Sequence, residues 1–125
     1  MAIQTVLHID DDPETIGLVR QALSRAGYRV VDAYTGYSGL QAVDEYKPDA
    51  ILLAMTLSDI DGWRIFEVLR ENMETAVIPV IALIERVQSI DNMLGLQVAG
   101  IDEYLTKPFT PQQLLESIRK AIQGR

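Results

Sequence analysis

Strand-like and helix-like hydrophobic patterns alternate from one end of the chain to the other. Residues 5–9 (TVLHI) form a short β-type run that stops abruptly in carboxylates. Asp12-Pro13-Glu14 predicts a helix start, with Asp12 as N-cap and Pro13 at the first helical position. Ile16, Val19, Leu23 and Ala26 follow at helical spacing, and Gly27 is placed to end that helix. Residues 29–33 predict a second strand, and 38–46 a second helix that must stop before Pro48. The third strand, 50–53, is apolar throughout, as expected of a strand buried on both faces. Residues 62–73 predict a third helix, with Ile65, Phe66 and Leu69 facing inward.

The second half repeats the pattern. Residues 80–83 predict a buried strand, and 89–99 a weaker helix closed by Gly100. Residues 103–106 predict the last strand. Thr110-Pro111-Gln112-Gln113 then resembles a capping box, opening a helix whose apolar face carries Leu114, Leu115, Ile118, Ala121 and Ile122. Five β-α units imply a parallel sheet with helices on both faces, in one α/β domain spanning residues 1–125. In such open sheets ligands bind outside the carboxyl ends of the strands. Those ends carry Asp10-Asp11, Ala54, Ile84 and Lys107.

Composition narrows the picture without naming a chemistry. A chain of 125 residues suits one domain, and 48% hydrophobic residues argue against disorder. The apolar runs at 50–55 and 76–84 fall short of the ~20 residues a bilayer requires, and no secretory signal opens the chain. With no cysteine, disulfides and thiolate metal sites are excluded. The formal charge of −7 disfavours autonomous binding to nucleic acid or anionic lipid. A cytoplasmic domain is the resulting expectation.

Three segments carry something more specific: Asp10-Asp11-Asp12-Pro13, Asp61-Gly62-Trp63 and Tyr104-Leu105-Thr106-Lys107-Pro108-Phe109. As an ordered set they resemble the receiver domain of bacterial two-component response regulators, over residues 6–122. The resemblance implies a flavodoxin-like (βα)5 fold with strand order 2-1-3-4-5. It also implies phosphoryl-transfer machinery: an attacking carboxylate, Mg²⁺ held by neighbouring carboxylates, and a lysine and hydroxyl for the transferred oxygens. Asp10 and Asp11 match the family's acidic pair, Lys107 its lysine, and Thr56 the residue whose backbone carbonyl completes the metal site.

Two positions depart from that pattern. Ala54 stands where the family has its phosphoacceptor aspartate, which is also a metal ligand. Ile84 stands where the family has Thr or Ser, and offers no hydroxyl. Glu85 and Ser58 are lesser departures, and residues 84–95 run about one residue longer than the common pattern. Loss at two independent positions favours a natural pseudo-receiver over an alanine introduced by design into an ordinary phosphoaccepting receiver.

The retained residues also carry simpler readings. Asp10 and Asp11 are like charges that need a cation, and Lys107 would supply it as a purely electrostatic cluster. Residual Mg²⁺ binding is the other option; with two side-chain carboxylates it would be weak, and no cofactor is required. His8 reads as a packed core residue, and Asp59 and Asp61 as turn formers. The expected function is a non-enzymatic, phosphorylation-independent interaction module. Its contact surface, implied by the resemblance, includes Ile90, Met93, Tyr104 and residues of 110–122. Tyr104 matches the family's switch aromatic and is expected to keep one orientation. Expected partners are a signalling protein such as a histidine kinase or an output domain, with a homodimer also open and no nucleic acid or membrane.

Overall fold

In the computed structural model, residues 2–85, 95, 100, 101 and 103–124 are described. Five parallel strands, β1 (Thr5–Ile9), β2 (Arg29–Ala33), β3 (Ala50–Ala54), β4 (Val80–Glu85) and β5 (Glu103–Lys107), form one sheet in the order β2-β1-β3-β4-β5. The strand order is the one implied above. The helices are α1 (Pro13–Arg25), α2 (Gly36–Tyr46), α3 (Gly62–Glu71), the single turn α4 (Met73–Ala76) and α5 (Pro111–Gln123). The helix expected over 89–99 and the surface residues Ile90 and Met93 lie outside the described residues, apart from Gly95.

Local chemistry sets most boundaries. The Asp12 carboxylate accepts the Glu14 N–H and caps α1, with Pro13 where its missing N–H costs nothing. Gly27, at φ 91°, takes the left-handed turn that ends this segment. Helix α2 begins two residues before the expected start, because Thr35 and Ser38 form a reciprocal capping box. The single helix expected over 62–73 is in fact broken at Asn72, whose side chain accepts the Glu74 N–H and starts α4. An asparagine offers the backbone an alternative to continuing the helix. The Thr110–Gln113 capping box opens α5 as expected.

Alternation along the buried strands divides the core in two. Val6, Leu52, Ile81, Leu83 and Leu105 pack against Val19 and Leu23 of α1 and Leu114 and Ile118 of α5. Leu7, Ile9, Ile51, Leu53, Ala82 and Ile84 pack against α2 and α3 through Val43, Ile65, Phe66 and Leu69. Each fully buried Leu or Ile contributes roughly 1.5–3 kcal/mol. His8 and Lys107 follow the parity of Val6 and Leu105, so both belong to the α1/α5 face. Ala54 follows Leu52 onto the same face, whereas Ile84 belongs to the other.

Candidate functional site

The β1 ladder continues one residue past the strand, since the Asp10 N–H donates to Ala33 O at 3.0 Å. This holds the Asp10 side chain on the α1/α5 face with no exposure to solvent. Lys107, the last residue of β5, comes from the far edge of the sheet. Its Nζ lies 3.1 Å from Asp10 Oδ1 and 3.0 Å from Oδ2. Asp12 and Glu85 lie farther from the same ammonium, at 3.8 and 3.9 Å. The Asp12 N–H adds a bond to Asp10 Oδ1 at 3.1 Å.

A second donor reaches Asp10 from within the sheet. His8 is fully buried, and its Nε2 donates to Asp10 Oδ2 at 3.1 Å. In the β1–β2 register His8 lies opposite Asp32. Its Nδ1 is 3.7 Å from Asp32 Oδ1, longer than a hydrogen bond, and neither atom has another partner. Asp32 is held from outside by Arg20 of α1, through Nε at 2.9 Å and a second bond from Nη2. The result is a row of side chains from Arg20 through Asp32, His8 and Asp10 to Lys107, hydrogen-bonded at every step except between Asp32 and His8.

The protonation equilibria follow this geometry. Burial opposes the charged form of His8, but the hydrogen bond to Asp10 and the nearby Asp32 carboxylate outweigh it and raise its pKa. Burial likewise opposes ionisation of Asp10, yet His8 and Lys107 prevail and hold it below its ordinary value. Asp32 is also held down, its burial outweighed by His8 and Arg20. These buried carboxylates are paired, as low-dielectric surroundings demand.

The neighbouring strand ends carry no such chemistry. Ala54 closes β3 with a buried methyl group, and Ile84 is buried beside Thr106 in the β4–β5 register. Asp11 is exposed and does not join Lys107; the Ser58 hydroxyl donates to its Oδ2 at 3.2 Å. Thr56 is exposed on the loop after β3. Asp59 does more than form a turn: its carboxylate accepts the N–H groups of Gly36 at 2.9 Å and Tyr37 at 3.1 Å, capping α2 from another loop. Those bonds, that of Gly36 first, hold its pKa below the ordinary value. Asp61 caps α3 through the Trp63 N–H.

Asp10 and Lys107 therefore meet, while Asp11 bonds to Ser58 and Thr56 lies exposed on the loop after β3. Sequence reasoning missed Asp32 and Arg20, and read His8 as packing alone. A faint sign existed, for His8 and Asp10 are two apart in one strand and so share a face. The donor set does not fit Mg²⁺. That ion demands octahedral oxygens, usually from one or two carboxylates plus water. Both Asp10 oxygens already accept from protein donors, the Ala54 side chain has no oxygen to give, and among the described residues no three His, Asp or Glu side chains converge on a metal position.

A parallel sheet ordered 2-1-3-4-5, with an acidic turn after its first strand and a lysine after its last, defines a CheY-like α/β signalling fold. The chain belongs to the response regulator receiver domain family, whose sequence profile matches residues 6–119. It is 38% identical over 117 residues to the DNA-binding dual master transcriptional regulator RpaA of Synechocystis, covering 94% of this chain and 48% of that protein. The same identity and length relate it to the transcriptional regulatory protein KdpE of Mycobacterium tuberculosis, at 94% and 50% coverage. The chain thus spans about half the length of these curated relatives. Among solved structures, the receiver domain of a sensor histidine kinase from Pseudomonas aeruginosa, with magnesium in its active-site cleft, superposes with a TM-score of 0.86. It is 29% identical, with 98% of this chain and 99% of that one covered.

These relatives correct one expectation. The exclusion of nucleic acid does not hold, because a relative at 38% identity is a DNA-binding regulator and others are transcriptional regulators. The charge of −7 describes these 125 residues and says nothing of DNA contacts made elsewhere in a regulator. No helix among the described residues is long and apolar enough to cross a membrane.

Proposed function

We propose that this receiver domain does not accept aspartyl phosphate and works as a phosphorylation-independent interaction module, without enzymatic activity, in a bacterial cytoplasmic signalling system. Residues 1–125 act as one unit in this reading. The observation that carries it is the buried Ala54 methyl at the end of β3, on the same edge of the sheet as a lysine already paired with Asp10. A methyl group offers no nucleophile and no ligand oxygen. The buried Ile84 side chain supports the same reading, since it provides no hydroxyl to follow a phosphoryl group. Asp59 and Asp61 are committed to helix caps and make poor substitute acceptors. Tyr104, 38% exposed on β5, belongs to the contact surface in this reading, together with the exposed side of α5. The names of the relatives support an output in transcription.

The alternative is a phosphoaccepting receiver whose aspartate at position 54 has been replaced by alanine. The retained Asp10, Asp11 and Lys107 favour it. Intact mass after incubation with acetyl phosphate and Mg²⁺ tests both, on this chain and on Ala54→Asp. No gain in either chain supports a disabled receiver. A phosphate on the aspartate variant alone supports the alternative. A labile phosphate on the original chain sinks the proposal.

A further inference from the structure

A divalent cation could reach Asp10 only by evicting what already binds it. Lys107 Nζ contacts both carboxylate oxygens, and its side chain is only 10% exposed. His8 holds Oδ2 from a fully buried position, and the Asp12 N–H holds Oδ1. Displacing His8 would take the acceptor from its buried Nε2 N–H, and displacing Lys107 would leave its ammonium only Asp12 and Glu85, at 3.8 and 3.9 Å. Leaving one member of a buried ion pair unpartnered is strongly unfavourable. His8 also occupies a position whose neighbours on the same face, Val6 and Leu52, are hydrocarbon. The imidazole is distinguished by its reach to two carboxylates at once, Asp10 and Asp32.

We infer that His8 and Lys107 together form a built-in substitute for the divalent cation at Asp10, making the acidic cluster metal-independent, with His8 the residue that excludes the metal. The ammonium neutralises Asp10 from the β5 side, and the imidazole N–H occupies Oδ2 from beneath. Asp11 remains as an exposed carboxylate bonded to Ser58, too little by itself to hold a hard cation with useful affinity. Returning a carboxylate at position 54 therefore does not by itself restore a competent metal site. Removal of the imidazole is also required, because it releases the bond that ties Asp10 Oδ2 to the sheet interior and leaves that oxygen to Lys107 alone. This inference concerns metal occupancy and not phosphate chemistry, so its test contains no phosphoryl donor and is independent of the acetyl phosphate experiment.

The test compares the original chain, Ala54→Asp and the double variant Ala54→Asp/His8→Val by calorimetric titration with magnesium chloride. The original chain is expected to show no saturable binding up to about 10 mM, and Ala54→Asp to bind weakly. The double variant should bind about ten- to hundredfold more tightly than Ala54→Asp, the range typical when groups around a metal site are changed. Equal affinity in the two variants would overturn the inference, as would saturable binding by the original chain. His8 is the sole histidine, so its imidazole NMR signals are unambiguous and serve even if the double variant folds poorly. In Ala54→Asp the Nε2 signal should stay in place at about 10 mM Mg²⁺. A shift showing release from Asp10 would defeat the idea.

Discussion

The two faces of the sheet are closed by different means. On the α2/α3 side Leu7, Ile9, Leu53 and Ile84 meet Val43, Ile65 and Leu69 with hydrocarbon alone. On the α1/α5 side a comparable apolar core shares its upper layer with Asp10, His8 and Lys107, continued through Asp32 to Arg20 at the surface. The first face tolerates imperfect partners, because apolar contact is non-directional. The second does not, for every buried charge there depends on a particular neighbour at a particular distance. The charges that meet at Asp10 satisfy one another without a carboxylate at position 54.

The sharpest way to break this comparison is Asp10→Ala. It leaves Lys107 and His8 without their shared partner and should cost about 4 kcal/mol in urea unfolding. A loss below about 1 kcal/mol would mean the cluster behaves like a solvated surface pair. On the opposite face Leu53→Ala should cost about 3 kcal/mol, with no dependence on pH between neutrality and pH 5. That independence is the useful contrast, since the charged face must respond to protons and the hydrocarbon face must not.

The proton response has a definite sign. The folded state raises the pKa of His8 above its ordinary 6.5, so the imidazolium's contribution is fully present below 6.5 and disappears as pH rises through the folded value. Asp10 and Asp32 behave oppositely: their contribution is present above the ordinary 3.8 and disappears as pH falls through their lower folded values. His8→Val should cost about 2 kcal/mol near pH 6, the scale of a charge-assisted hydrogen bond. It should also flatten the decline on the alkaline side of 6.5. Denaturation profiles from pH 5 to 9 read both effects, and an unchanged alkaline slope would remove the histidine from the account. The smallest effect belongs to Arg20→Ala. Its side chain is 54% exposed, so solvent screening limits the loss to under about 1 kcal/mol by thermal melting.

Much of this was legible in the chain itself, and the reasons for the remainder are physical. The uninterrupted apolar run of β3 could only be a strand covered on both faces, and the caps at Asp12 and Thr110 are local signals read from adjacent residues. The break at Asn72 escaped notice because helical periodicity outweighs a single capping side chain in a window of that size. The meeting of Asp10 with Lys107 followed from strand ends sharing one edge and from the need of paired carboxylates for a cation. The link from His8 to Asp32 required the β1–β2 register, which depends on how two strands slide against each other. Asp59 looked like a turn residue, and locally it is one, but the amides that it binds belong to a helix more than twenty positions away.

That last contact carries a consequence for how the sequence can change over time. Gly36 leaves no room for a side chain: a Cβ built there would sit 2.0 Å from Ile60 Cγ2 and 2.8 Å from Ile65 Cδ1, while its amide is held by Asp59. Positions 36, 59 and 60 therefore form one heritable unit split across the chain. A lineage that enlarges residue 36 must shrink or move residue 60, and residue 65 with it, and crowds the Asp59 carboxylate in the same step. Drift in the loop after β3 is for that reason tied to the second helix rather than to the chemistry of the strand end beside it.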